Sequence, residues 1–339
     1  MTNQQTRLSV YSLAHFMVDF CCALLVFRVV PHFTDAALLY LVYNYCAFAL
    51  QMPIGLLADR LDRNAVVAAL GCIMVMLSFA LHASPLPAVI AAGVGNACFH
   101  VGGGIDVMNQ SGKKASALGI YVSPGAAGLY FGTNLGKGDF SLLGGAVMML
   151  ACAAAILIMA HRTGVLRTSG NAPLSLNGFA KPGAAVCALC LFLVVVIRSF
   201  AGMTMVFDWK SLGAWGLIAM LAVVLGKTAG GFALDFLGAK RATLLSLGAA
   251  AVLFLFSEYA VAGVAAIFLF NMTMPITLHA LAQRTPGCKG FSFGLLTFAL
   301  FLGFVPVCLG LTSASGSGLL AGLCVLSALL MLPAASLAE

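Results

Sequence analysis

Residues 55–63 read GLLADRLDR, and residues 231–241 read GFALDFLGAKR. Each stretch follows a long apolar run and ends in basic residues. Gly55 and Gly231 lie 176 positions apart, as do Asp59 and Asp235. Two further landmark pairs, Asn96 with Asn271 and Gly119 with Gly294, lie 175 apart. Four landmark pairs within one residue of a common offset indicate a duplicated unit. Parallel duplication of a helical unit is an architecture of membrane transporters.

The surrounding composition agrees. The chain has 339 residues, of which 62% are hydrophobic and 8% charged, with a mean hydropathy of +1.07. A soluble domain carries about 25% charged residues. A soluble enzyme, a nucleic-acid-binding module and a disordered tail protein are excluded on that ground. The net charge of +7 is spread over short loops and signals no nucleic-acid partner.

A membrane-spanning helix needs about 20 apolar residues. The sequence predicts twelve, at roughly 8–30, 36–58, 64–83, 86–106, 114–136, 140–161, 183–206, 212–235, 241–257, 259–280, 289–311 and 317–336. The expected fold is an all-α membrane protein of twelve transmembrane helices in two pseudo-symmetric six-helix bundles. The expected domains are residues 1–162, a cytoplasmic linker 163–182 rich in Gly, Ser, Asn and Pro, and residues 183–339. The runs are continuous, without the alternation of a β-barrel. The first run is as long as a span and lacks a small-residue cleavage pattern, so it is read as the first helix. Of eleven cysteines, only Cys288 falls in an expected loop, which is no disulfide framework. Cys187 and Cys190 read as packing residues within a span.

Counting basic residues sets the orientation. With the N-terminus inside, the cytoplasmic segments hold Arg7, Arg60, Arg63, Lys113, Lys114, Arg162, Arg167, Lys181, Lys240, Arg241, Arg284 and Lys289. The outer loops hold Lys137 and Lys210. A multi-pass protein of the plasma (inner) membrane, monomeric, with both termini cytoplasmic, is expected.

The 55–63 stretch resembles the signature loop between helices 2 and 3 of the major facilitator superfamily, G-x-L-a-D-r-x-G-r-[KR]. Gly55, Leu57, Ala58, Asp59, Arg60 and Arg63 match, whereas Asp62 replaces Gly and Asn64 replaces a basic residue. The second copy keeps Gly231, Asp235, Gly238, Lys240 and Arg241. An Asp at a helix end can pair with basic residues or with the N-terminus of a neighbouring helix. The resemblance implies that Gly55, Asp59, Arg60, Arg63, Asp235, Lys240 and Arg241 form a conformational gate. Gly119, Pro124 and Gly128 resemble the superfamily's antiporter motif, which accompanies export. His15, Asp19, Asn96 and the pair Phe99-His100 resemble the fosmidomycin-resistance branch, with Val101 and Gly102 standing where that branch has Pro and Glu.

A charged side chain at mid-membrane costs about 2.5–3.5 kcal/mol on insertion scales and is a functional hypothesis by default. In the superfamily fold, helices 1, 4, 7 and 10 line the central cavity, and these are the spans of Asp19, His100, Arg198 and Asn271. His15 and Asp19 are four apart and share a helix face. Asp19 is read as the proton-coupling residue tuned by His15, or else as one half of a static pair with Arg198. Arg198 and Lys227 are candidate anion-binding cations, joined by His100, Asn96, Asn271, Asn44 and Gln51. Snorkelling to the interface is the alternative for Lys227 and the preferred reading for Arg28. Asp106 reads as interfacial.

These residues predict a secondary active transporter working by alternating access. It is proton-coupled, moves a small anionic or zwitterionic organic molecule, and favours export. No catalytic residue, resident metal or cofactor is expected, because a proton or other ion gradient supplies the drive. No phosphate-binding G-x-x-x-x-G-K-[ST] occurs. A transporter of a divalent metal or metal chelate, with His15, Asp19, Cys98 and His100 as donors, is one alternative. A non-transporting receptor or scaffold of the same fold is another.

Overall fold

The structure is a computed structural model that describes residues 2–112, 114–138, 140–166, 170–174 and 183–336. Lys113, Arg167 and Lys181, and most of the expected 163–182 linker, lie outside these residues. Among the described residues there are helices and turns and no strand.

Among the described residues fourteen α-helices follow in chain order. They are α1 Asn3–Val29, α2 Ala36–Asn44, α3 Gln51–Leu61, α4 Asn64–Ala80, α5 Pro85–Ser111, α6 Ser116–Val122 and α7 Pro124–Gly136. Then come α8 Leu142–Arg162, α9 Ala184–Thr204, α10 Trp215–Phe254, α11 Ala260–Asn271, α12 Thr273–Arg284, α13 Lys289–Cys308 and α14 Ser317–Ser336.

Eight helical stretches among the described residues are long and apolar enough to cross a membrane. The count differs from the expected twelve for local reasons. The expected spans 212–235 and 241–257 run together as the 40-residue α10, which breaks direction at Gly238 (φ 77°, ψ 164°). The expected span 114–136 is divided into α6 and α7, because Pro124 has no N–H to continue the helical ladder. Asn64–Ala80 and Ser317–Pro333 are apolar but shorter.

Local chemistry fixes the helix ends. Thr2 and Gln5 form a reciprocal capping box at the start of α1. The α3–α4 turn is made by Asp62 in the left-handed region (φ 50°, ψ 40°). Its duplicate position is Gly238, also at positive φ. Both positions thus take positive φ but differ in ψ: Asp62 is left-handed helical, which Asp tolerates better than most side chains, whereas Gly238 (ψ 164°) adopts a conformation open essentially to glycine.

The chain forms two compact units. The first comprises Met1–Gly112, Pro124–Leu174 and Gly287–Phe298; the second comprises Lys113–Ser123, Ser175–Pro286 and Ala299–Glu339. Each unit thus takes a short segment from the opposite sequence half. In the first, Val26, Val30, Leu39 and Val89 form one buried cluster, and Ala58, Val101 and Ile105 another. In the second, Trp209, Leu247, Phe254, Ile267, Phe270 and Ile276 belong to a single core. The Trp209 indole N–H donates to the Ser257 carbonyl at 2.8 Å, so this large side chain is buried with its polar atom satisfied. Leu143, Val147 and Leu150 are exposed along one face of α8, an arrangement suited to lipid.

Candidate functional site

Within the first unit, α1 and α5 bring together residues that lie up to 85 positions apart. His15 and Asp19 occupy one face of α1, and the ring of His100 on α5 meets them. His15 Nε2 lies 3.3 Å from Asp19 Oδ2, and His100 Nε2 lies 3.5 Å from Asp19 Oδ1. The two Nε2 atoms are 2.9 Å apart, with the rings edge to face. Asn96, one turn before His100, donates its side-chain N–H to Asp19 Oδ1 at 3.0 Å. The side chains of His15, His100 and Asp19 are 6%, 12% and 20% exposed, so the group is shielded yet reachable.

One contact fixes the tautomer. His100 Nδ1 lies 2.8 Å from the Asn96 backbone carbonyl, which can only accept. Nδ1 therefore carries a proton, and neutral His100 presents a lone pair at Nε2. A single proton fits between the two Nε2 atoms.

Gly125, at the start of α7, backs directly onto the cluster. A Cβ there would run into Asp19 Oδ2 and His15 Nε2. The antiporter-like motif is divided between two packings. Gly119 of α6 lies on the Lys227 and Thr228 carbonyls of α10 in the second unit, whereas Pro124 begins α7 and Gly128 lies on the Phe16 carbonyl of α1 in the first.

The other anticipated binding residues are placed differently. In the second unit, Arg198 Nη2 contacts Asn271 Oδ1 at 3.5 Å, so two expected residues meet. Arg198 makes no ion pair among the described residues, which leaves its planar guanidinium available to an anion. Lys227 Nζ donates to the Val122 carbonyl at 3.3 Å, beside the break between α6 and α7. Asn44 and Gln51 turn their side-chain N–H groups onto the Tyr40 and Ala47 carbonyls of the preceding turn. Gln51 is 1% exposed.

The expected gate is a duplicated helix cap. Asp59, at the end of α3, accepts from the backbone N–H groups of Gly290 and Phe291 at the start of α13, each at 2.9 Å. Asp235 accepts from those of Ala115 and Ser116, at 2.6 and 3.0 Å, at the start of α6. The donor pairs are themselves 175 positions apart, so the repeat extends to both partners. Gly55 allows the approach in the first unit, since a Cβ would strike the Gly290 carbonyl. Gly231 lies in the same way on the Ala115 carbonyl, which its Cβ would approach to 2.7 Å. Arg60, Arg63, Lys240 and Arg241 are exposed and form no ion pair among the described residues, so the backbone N–H groups, and not these cations, are the aspartates' partners.

Sequence reasoning missed one buried pair. Arg7 Nη2 donates to Asp106 Oδ1 at 2.6 Å, and the Asp106 side chain has no exposure. Asp106 is thus enclosed within the first unit. Its only sequence signal was an acidic residue inside an apolar run.

His15, Asp19 and His100 each offer a ligand atom within 4.8 Å of the others. These donor types suit a transition metal as well as a proton. Cys98 is not part of the set.

No family model matches the sequence, and no curated protein does. Solved structures do. The chain is similar to a variant of the Escherichia coli fucose:proton symporter FucP at 11% identity, with 100% of both chains covered and a TM-score of 0.68. It is similar to FucP in the outward conformation, described as a major facilitator superfamily transporter, at 11% identity, with 97% of this chain and 99% of that chain covered and a TM-score of 0.63. A likeness that spans the whole of both chains, together with the duplicated caps at Asp59 and Asp235, shows that this chain has the major facilitator fold.

Proposed function

We propose that the protein is a proton-coupled secondary transporter that moves a small anionic or zwitterionic organic molecule across the plasma membrane by alternating access. The observation that carries this reading is the contact of His15, His100 and Asp19 on α1 and α5. Three groups able to exchange protons share one partly shielded cluster, and Asn96 holds two of them in register. Shielding from water strengthens their mutual interaction. Loading and release of a proton there changes the charge of the site by one, which is what coupling to a pH gradient requires. The similar fucose:proton symporter is itself proton-driven, which supports the drive but not the cargo. Arg198, held by Asn271, supplies the cation for a carboxylate or phosphate on the cargo. The Gly119, Pro124 and Gly128 pattern favours export.

Alternating access gives the duplicated caps their role. Asp59 and Asp235 hold the starts of α13 and α6 on the cytoplasmic side in one state and release them in the other.

The test is flux into proteoliposomes under an imposed pH gradient, paired with thermal unfolding of the detergent-purified protein. Organic anions, zwitterions, organic cations and divalent metals are compared. A ligand that binds only the folded state stabilises it by about 2.7 kcal/mol at a hundredfold excess over Kd. Anion stabilisation that vanishes in Arg198→Ala, with gradient-driven flux that vanishes in Asp19→Asn, is the expected result. Stabilisation by Zn²⁺ or Mn²⁺ alone, lost in Asp19→Asn, would overturn it and give the cluster to a divalent cation.

A further inference from the structure

The signature stretch departs from its family pattern at Asp62 and Asn64, and both residues meet the same partner. That partner is Asn171, in the short described segment 170–174 between the two sequence halves. The Asn171 backbone N–H donates to Asp62 Oδ1 at 3.3 Å. Its side-chain N–H groups donate to the Ala58 carbonyl at 3.1 Å and to Asn64 Oδ1 at 2.8 Å. Its side-chain oxygen accepts from Asn109 at 2.8 Å and, at a longer 3.4 Å, from Asn64. One amide side chain therefore ties the end of α3, the start of α4 and the end of α5 together.

The next residue extends the tie to a fourth element. The Ala172 N–H donates to the Gly287 carbonyl at 2.9 Å, and its carbonyl accepts from Cys288 Sγ at 3.3 Å. Gly287 and Cys288 immediately precede α13, the helix whose first N–H groups Asp59 holds. Asn64 is fully buried, and Cys288 is 3% exposed. Asn171 is itself half-buried and Ala172 exposed, so the segment lies at the surface of the first unit and covers these buried partners.

We propose that Asn171–Ala172 is a latch, a second clasp on the start of α13 that acts beside Asp59. Asp59 binds the first turn of α13, and Asn171–Ala172 binds the two residues ahead of it. Any movement that withdraws α13 from α3 must break both. Asp62 and Asn64 are explained by this arrangement. A Gly at position 62 would supply the turn but no acceptor for Asn171. A basic residue at 64 would meet the donor N–H groups of Asn171 with more donors. On the alternating-access reading above, Asn171 and Ala172 therefore set the ease of the conformational change, whatever the cargo.

Cys288 is a native reporter of the latch, because the Ala172 carbonyl lies over its thiol. The experiment is alkylation of the full-length protein in detergent with a maleimide. The rate at Cys288 is resolved by peptide mass spectrometry, with Cys288→Ser marking the assignment. Asn171→Ala should raise that rate about fivefold or more, the scale of one lost buried hydrogen bond. Ala172→Pro, which removes the N–H to Gly287 and keeps the Asn171 side chain, should raise it as well, and so covers the case in which Asn171→Ala fails to fold. Arg162→Ala, outside the network, should leave it unchanged. Equal Cys288 rates in wild type and in the folded latch variants would overturn the proposal. Because the readout needs no substrate and no proton gradient, it is separate from the test of transport.

Discussion

The Asp59 carboxylate accepts a hydrogen bond from the backbone N–H of Gly290, 231 positions away, at 2.9 Å. It is 1% exposed, while its duplicate Asp235 is exposed. Charge-assisted hydrogen bonds contribute about 1.5–3 kcal/mol when buried and less when water competes. The two copies share a geometry but not an energy. Asp59→Asn should therefore change the balance between inward-open and outward-open states more than Asp235→Asn. Cysteine-accessibility labelling from both sides of the membrane measures this, and equal shifts in the two variants would show that burial does not set the difference.

Asp19→Asn keeps an oxygen for Asn96 to donate to but cannot cycle a proton. Flux driven by a pH gradient should fall at least about tenfold, with unfolding temperature within a few degrees of wild type, as expected for a near-isosteric change. Unaltered coupling would remove Asp19 from its role.

Gly125→Ala adds no titratable group and removes none. Its Cβ would occupy the space of Asp19 Oδ2 and His15 Nε2. Coupled flux should be lost to nearly the same extent as in Asp19→Asn, while anion-induced stabilisation persists. Intact coupling in a folded Gly125→Ala protein would show that the cluster tolerates displacement.

Arg198→Ala should weaken anion binding about tenfold to a hundredfold, the range for losing a charge-assisted contact. Arg198→Lys should restore part of it, because a lysine supplies the charge without the planar fork. Equilibrium binding of the anion found by thermal shift checks both. Equal affinities in wild type and Arg198→Ala would defeat the anion reading.

Lys210 lies in the loop between α9 and α10, outside the spanning stretches. Its ammonium donates to the Met205 carbonyl and sits 4.8 Å from the centre of the Phe207 ring. Burial pushes its pKa down from the ordinary 10.5 to about 8. Between these values the unfolded chain binds more protons than the folded one, so this residue's contribution to stability rises with pH from about 8 to 10.5. Lys210→Met should flatten that rise, which thermal unfolding scans at pH 7.5, 9 and 10.5 would read. Parallel pH profiles for wild type and variant would show that Lys210 does not titrate in this range.

Much of the fold was legible because it rests on local and repeated signals. Apolar runs of spanning length mark the helices, and the 176-residue offset marks the duplication. Helix lengths were less legible. The sequence placed a boundary between 235 and 241, where Gly238 breaks α10, but not the division at Ser123 and Pro124, where α6 and α7 belong to different units. Among site residues, His15 and Asp19 could be paired from their spacing of four. The inward placement of Asn44 and Gln51 could not be judged, since the side-chain N–H of a polar residue in a span can donate to the preceding turn, as both do.

By itself the sequence determined the membrane class, the all-helical character, the internal repeat and the equivalent positions of Asp59 and Asp235 within it. These depend on composition, period and motif, which are properties of neighbouring residues. Only the tertiary structure decided that His100 meets His15, that the partners of Asp59 and Asp235 are backbone N–H groups, that Asp106 is buried against Arg7, and that Asn171 clasps the signature turn. Each of those contacts joins segments distant along the chain. Which way a side chain points about its helix axis, and which helix start lies opposite a carboxylate, are fixed by packing. A backbone N–H donor leaves no mark in a residue's identity.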